Sequence, residues 1–336
     1  MPYAQVANLD FADIKTQLKE YLRSQSDFTD YDFEGSALAV LIDTLAYNTY
    51  YTAFNTNMVV NELFIDSATL RDNVVAIAKQ LGYRPKSATA PTAYISFTVT
   101  YANPTTDTEL VLQKGTGFTT IYDNNQYQYV TLENVTGQVV NNVATFTNVA
   151  IKEGTQVINT FTKSTARKSQ RFILDNSNID TNTIRVKVYP GGGSFNEPYL
   201  LADNILGVDG ESKVFFIDEI EDERYEILMG DGVLGKKIEN NTRIEVSYLL
   251  TTGPESNGVK SFLFSGVLEN PNGVTPNGFE VNVTAVTPSS GGEDIESTEK
   301  IKYTAPKAYG TQERAVTAQD YEAIVRKVYP ATSDII

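Results

Sequence analysis

Apolar residues Phe11, Ile14, Leu18 and Leu22 recur at helical spacing and predict one amphipathic helix from about Leu9 to Arg23. The polar turn SDFTDYDFEG follows, and then Ser36 to Leu81 runs without any Gly or Pro, carrying Leu38, Leu41, Ile42, Leu45, Tyr51, Met58 and Leu63. That stretch predicts a long helix followed by a shorter one. The break is expected at Asp66-Ser67-Ala68-Thr69, with Thr69 capping the second helix, Asp72 favouring its N-terminus and Gly82 ending it. From Pro91 the pattern becomes alternation: TAYISFTVTY sets Ala93, Ile95, Phe97 and Val99 on one face of a strand.

Short strands rich in Val, Thr, Tyr and Phe, separated by Asn-Asn, Asp-Asn and Gly turns, continue to about Lys163. A second strand-rich region runs from about Phe172 to Val286 and includes TIRVKVY, KVFFI, YEILM and RIEVSYLL. Beyond the turn-rich PSSGGED, the stretches ESTEKIKYTAPKAY and TAQDYEAIVRKVY read as helices, the second with Thr317 as N-cap, Asp320 in the capping-box position and Pro330 just past its end. The fold class is therefore α+β. The expected division is a helical region 1–88, a first β-rich domain 89–165, a second 166–290, and from 291 to 336 the opening of an α/β domain that this chain does not finish. Tyr321, Ile324, Val325 and Val328 form a stripe in that last helix, and no adequate strand set follows to cover it.

A length of 336 residues exceeds what one core usually organises, and 41% hydrophobic residues are enough to fill two or three. The 20 Tyr and 16 Phe without any Trp favour half-exposed strands and protein interfaces. A net charge of −15 opposes binding to phosphate backbones, so nucleic acid is not an expected partner. With no Cys and no His, disulfides, thiolate sites and the commonest general base are excluded. No stretch approaches the ~18 apolar residues of a membrane span, and the N-terminus lacks the pattern of an export signal.

Several motifs imitate chemical sites. GDGVLGK at 230–236 has the spacing of a phosphate-binding loop, yet Lys237 stands where Ser or Thr would hold magnesium and a strand-like segment follows where a helix is required. It reads as a Gly-Asp-Gly hairpin between YEILM and the next strand. Asp30, Asp32, Glu34 and Gly35 resemble the first half of a calcium loop, but the twelfth position is Leu41, so a capped helix start is the better reading. The acids of Asp218–Glu223 read as a solvated loop, and Gly191–Gly193 as a turn. No catalytic residue, cofactor or metal is expected. The long helix carries more information: Leu38, Leu41, Ile42 and Leu45 make one stripe, while Tyr47, Tyr50, Tyr51 and Phe54 spread around it. A helix apolar on more than one side must be covered, either by the rest of the chain or within a bundle of several chains.

The segment DYDFEGSALAVLIDTLAYNTYYTAFNTNMVVNELFIDSATLRDNVVAIAKQLGYRPKSATAPTA resembles the N-terminal region of the baseplate wedge proteins of T-even-type phages, the gene-product-six type, and more distantly the baseplate J-like proteins of other contractile tails. LQKGTGF, FTNVAIKEGT, YEILMGDGVLGKKIENNTRIEVSYLLTTGPESNG and GGEDIESTEKIKYTAPKAYGTQERAVTAQDYEAIV agree with it in the same order, so the resemblance spans about 30 to 329. It implies a non-enzymatic structural subunit of the virion's tail baseplate, assembled in the host cytoplasm. Two copies with a different wedge subunit would form a helical core bundle, and neighbouring wedges would join into a ring around the tail hub. Glu34 to Leu81 would be the bundle-forming part, with Leu38, Leu41, Leu45, Tyr51, Phe54 and Met58 at the partner interface. Proteins of this type continue well past the end of this chain. The other readings are a receptor-binding or tail-fibre module, which should lack a long apolar N-terminal helix, and a carbohydrate-active tail enzyme, which needs two carboxylates placed across a cleft.

Overall fold

The computed structural model describes residues 7, 10–25, 37–164, 171–202, 207–276 and 278–311, together with 321 and 325. The calcium-loop imitation at 30–35 and most of the helix expected from Thr317, including Ile324 and Val328 of its stripe, lie outside them. The chain divides into two compact units, residues 1–85 with 297–336, and 86–296.

In the first unit, α1 (Phe11–Arg23) starts where Asp10 Oδ1 accepts the amides of Ala12 and Asp13 at 2.8 and 3.1 Å. It packs Ile14 against α2 (Ala37–Glu62). The helix α3 (Arg71–Gln80) follows after an eight-residue break and closes at Gly82, whose φ is +75°. There the Tyr83 amide reaches back to the Ala78 carbonyl at 2.9 Å, which only a left-handed residue at Gly82 permits without strain. Thr69 does not cap α3. Its amide and hydroxyl instead donate to Glu62 Oε1 at 2.8 and 2.6 Å, and the same carboxylate takes the Leu70 amide and the Asn73 side chain. A carboxylate accepts several donors where a hydroxyl serves one, so the last residue of α2 organises the start of α3. The helix α4 (Thr298–Thr311) lays Ile301 and Ala305 on Val74, Val75, Ala78 and Tyr83.

The second unit contains two β-sheets. The first comprises β1 (Thr92–Tyr101), β2 (Glu109–Leu112), β3 (Gly117–Tyr122), β4 (Asn125–Thr131), β5 (Val135–Val140) and β6 (Val143–Glu153). The second comprises β7 (Thr155–Thr162), β8 (Phe172–Leu174), β9 (Ile179–Tyr189), β10 (Glu197–Leu201), β11 (Val214–Glu219), β12 (Tyr225–Met229) and β13 (Arg243–Leu250). The chain then returns to the first sheet with β14 (Leu263–Phe264), β15 (Leu268–Glu269) and β16 (Phe279–Ser290). The first sheet runs β14-β3-β4-β6-β5-β2-β15, with β1 added to β6 and β16 to β1. The second runs β7-β13-β9-β10-β11-β12-β8, antiparallel except at β10–β11.

Alternation in β1 buries Ala93, Ile95, Phe97 and Val99 as expected. The Phe97 ring stacks on Phe146 at 4.5 Å, and Gly137 is required opposite because an added Cβ would meet that ring at 2.8 Å. The second core gathers Ile184, Val186, Val188, Ile244, Val246, Tyr248, Phe215, Ile217 and Ile227.

A single residue, Gly154, links β6 of one sheet to β7 of the other. Its φ is +129° and any Cβ would stand 2.5 Å from the Leu250 carbonyl oxygen. Polar side chains line the junction on both sides of it. Lys152 Nζ pairs with the fully buried Asp180 at 2.7 Å, and Asp180 also accepts the amides of Ala90 and Asn182. Glu153 Oε2 accepts the Thr251 hydroxyl at 2.6 Å and the Thr252 amide at 3.1 Å, while the Tyr129 hydroxyl donates to the Ser256 carbonyl.

Candidate assembly surface

The imitated chemical sites lose their donors to the fold itself. In the 230–236 loop, the amides of Val233 and Leu234 both donate to Asp231 Oδ1, that of Gly232 to the Gly235 carbonyl, that of Gly235 to Asp209 and that of Lys236 to Ser212. A phosphate cradle needs those amides free. The loop is also not the hairpin expected from the sequence, because β12 pairs with β11 and β8 whereas β13 pairs with β7 and β9. Its glycines serve close approach: a Cβ on Gly230 would stand 2.2 Å from the Gly235 carbonyl carbon. Lys236 Nζ lies 3.8 Å from Glu197. Glu221–Glu223 form the turn of the β11–β12 hairpin, closed by the Ile220 amide on the Arg224 carbonyl. Gly191–Gly193 turn β9 into β10 as expected.

What remains is the surface of α2. Its 26 residues make a rod about 39 Å long at 1.5 Å per residue. Only Ile42, Ala46, Ala53 and Asn57 are buried, one narrow stripe along the helix. Asn57 holds residue 7 with two bonds of 3.0 Å, its side-chain oxygen accepting the Ala7 amide and its nitrogen donating to the Ala7 carbonyl. Lys15 of α1 pairs with Asp43 beside the stripe.

Of the six residues expected at a partner interface, Leu38 is half-buried, while Leu41, Leu45, Tyr51, Phe54 and Met58 are 44–57% exposed. They do not form one face. At about 100° per residue, Leu41 and Leu45 fall on one stripe with Val59, and Tyr51, Phe54 and Met58 on another with Val40 and Tyr47, the two centred roughly 120° apart. Leu38 sits between the first stripe and the buried one. The interface expected from the sequence does not include Val40, Val59, Leu63 and Phe64, all more than half exposed. Their signal in the sequence is the same hydrophobicity.

The chemistry of this surface is apolar by construction. Thr44, Thr49, Thr52 and Thr56 each turn their hydroxyl to the carbonyl four residues back at 2.8 Å, leaving methyl groups outward. The Tyr47 hydroxyl donates to that of Tyr51 at 3.0 Å, and their rings meet edge-on at 4.7 Å. This hydrogen bond, with the neighbouring tyrosines, raises the Tyr47 pKa. Between Val40 and Met58 the one charged side chain is Asp43, at the edge of the second stripe and paired with Lys15.

Residues 10–83 match the family model described as the helical domain of gp6-like baseplate wedge proteins. Baseplate wedge protein gp6 of Enterobacteria phage T4 is 31% identical over 333 residues, which cover 94% of this chain and 49% of that protein. The chain thus spans about half the length of the curated relative it matches. A chain of the cryo-EM structure of the anti-feeding prophage baseplate, 6-fold symmetrised, aligns over 97% of this chain and 66% of its own length at 12% identity and a TM-score of 0.34.

Proposed function

The chain is a homologue of the gp6-like baseplate wedge proteins, with their helical domain at residues 10–83, and from that premise we propose that it is a non-enzymatic structural subunit of a contractile-tail baseplate. Its place is the virion tail, reached by assembly in the host cytoplasm. The partners in this reading are a second copy of the chain, other wedge subunits, and through neighbouring wedges the ring around the tail hub.

One observation carries the proposal: among the described residues, α2 exposes two apolar stripes on different sides while only a third, narrow one is covered. Burying apolar surface is worth about 25 cal/mol per Å², so two exposed stripes amount to an assembly drive in two directions. A helix that needs cover on three sides fits the interior of a bundle of several chains. Leu38, Leu41 and Leu45 would face one neighbouring helix, and Tyr51, Phe54 and Met58 another. A tail-fibre module has no use for such a rod.

The test is entry into baseplate particles, followed by gradient sedimentation of lysates in which the wild-type gene is replaced. Leu41→Asp and Met58→Asp are each expected to abolish entry, since each would place an unpaired charge in an apolar contact. Both residues are exposed in the chain alone, so the purified variants should keep wild-type circular dichroism. Normal particle yield from either variant would refute the corresponding stripe as an interface.

A further inference from the structure

On a chain with 27 cationic and 42 acidic side chains, one face of the second sheet is positive. The β9–β13 register places Arg185 opposite Ser247, Lys187 opposite Glu245 and Tyr189 opposite Arg243, all toward the same side. Beyond β13, the β7 partners of this row are Ile158, Thr160 and Thr162, none of them charged. Arg243 lies over the Tyr189 ring at 4.0 Å, and Lys187 stands 3.9 Å from Glu245.

The row ends at a half-open cleft between the two sheets. Lys114 and Thr131 of the first sheet face Gln156, Arg185 and Ser247 of the second across it. Lys114 belongs to the turn between β2 and β3, so its ammonium is brought to Arg185, 71 positions on in sequence, by the packing of the sheets. The desolvation of Lys114, followed by the charges of Arg185 and Lys187, lowers its pKa, with Glu133 opposing. Arg185 is anchored by one nitrogen, Nη1, which donates to the carbonyls of Asn182 and Ile184, and its remaining N–H groups are not used in those bonds. Among the described residues, the acids recorded against these four cations are Glu133 and Glu245. Four cations held against two carboxylates repel one another and gain when a further anion arrives.

We propose that this cleft receives an acidic segment of a second protein chain, with a carboxylate lodged between Lys114 and Arg185 and further acids along Lys187 and Arg243. The choice of a protein partner rests on the assembly reading above. It is also favoured by charge: nucleic acid, with one phosphate per residue, meets the field of a −15 chain over its whole length, whereas a short acidic segment meets only the local positive row. A contact of this kind sets orientation and register between chains, while the apolar stripes of α2 supply the drive.

The experiment has two arms. In the first, fluorescein-labelled hexaglutamate is titrated into the purified chain and anisotropy recorded. Saturable binding is expected, weakened at least tenfold by Lys114→Glu combined with Arg185→Glu, weakened less by Lys114→Gln or Arg185→Gln, and unchanged by Lys236→Ala. No saturable binding, equal binding by the doubly reversed variant, or tighter binding of inorganic phosphate or an oligothymidylate than of hexaglutamate would overturn the proposal. In the second arm, baseplate particles are treated with a carbodiimide, which joins lysine amines to carboxylates in contact. Amide links from Lys114 or Lys187 to acidic peptides of another chain or copy are expected, and their absence while other lysines are linked also refutes it. If the wild-type chain enters no particle, the assembly reading fails and the peptide titration still decides the cleft. If it enters, and the reversed variant enters equally with equal peptide affinity, only the cleft proposal fails.

Discussion

Glu62 closes α2 and, through its carboxylate, opens α3. Burial works against its charged form, but the hydrogen bonds from Thr69, Asn73 and the amides of Thr69 and Leu70 outweigh it and lower the pKa to about 2. The folded value lies below the ordinary 4.5, so the stabilisation is complete above about pH 4.5 and is lost as the pH falls through about 2. Glu62→Ala is expected to lower the stability of the helical unit by about 0.5–2 kcal/mol at pH 7, the usual loss of a cap, and thermal melts at pH 7 and pH 3 should differ less in the variant. Glu153 behaves oppositely. Burial raises its pKa above 4.5 against the bonds from Thr251 and Thr252, so its contribution is present below that value and is lost as the pH rises through the elevated folded one. Glu153→Gln keeps an acceptor without the buried charge. Urea midpoints at pH 8 should be no lower than the parent's and should vary less between pH 5 and 8. Neither role was legible beforehand. Thr69 looked like the cap because capping patterns are read over three or four residues, whereas Glu62 acts across seven.

The helix α2 was legible as an element, because a long run without Gly or Pro and with dense apolar positions has few other solutions. Which of its sides its own chain covers was not. Ile42, Ala46, Ala53 and Asn57 are buried, the last against Ala7, and two small residues and an amide are no more hydrophobic than what stays outside. Stability measurements should separate the sides. Leu41→Asp and Phe54→Asp are expected to change the unfolding free energy of the isolated chain by no more than about 0.5 kcal/mol, and Ile42→Asp to cost more than about 2 kcal/mol, all by denaturant titration. The strand β1 was equally legible from its alternation. The Gly230–Lys236 loop was not, since two strands adjacent in sequence ordinarily form a hairpin, and here β12 pairs with the preceding β11 and with β8 while β13 pairs with the distant β7 and β9.

Within the β unit, the two sheets are joined by one glycine and a polar seam. Lys152 and Asp180 are 12% and 0% exposed at the side chain, so their pairing is a buried one. Removing one partner of such a pair typically costs about 3–5 kcal/mol, because the remaining charge is left in an apolar surrounding. Lys152→Met is expected to fall near the lower end, since two amides still serve Asp180. Lys152→Met combined with Asp180→Asn should recover most of the loss, and a double-mutant cycle on denaturant midpoints measures the coupling. The same sheet-to-sheet packing that makes this seam also brings Lys114 to Arg185.

By itself, the sequence determined the α+β class, the positions of α1 to α4 to within a few residues, the alternation of the main strands and the resemblance to baseplate wedge proteins. These are properties of local periodicity and of ordered motifs, carried within stretches of ten to fifty residues. Tertiary structure alone decided that β14 to β16 return to the first sheet, that Glu62 holds the segment leading into a helix it does not belong to, that the loop amides are consumed internally, and that Lys114 is brought to a face carrying Arg185, Lys187 and Arg243. Each of these depends on residues brought together from distant points in the chain, and a side chain's partner at that range is set by packing, on which local pattern has no hold.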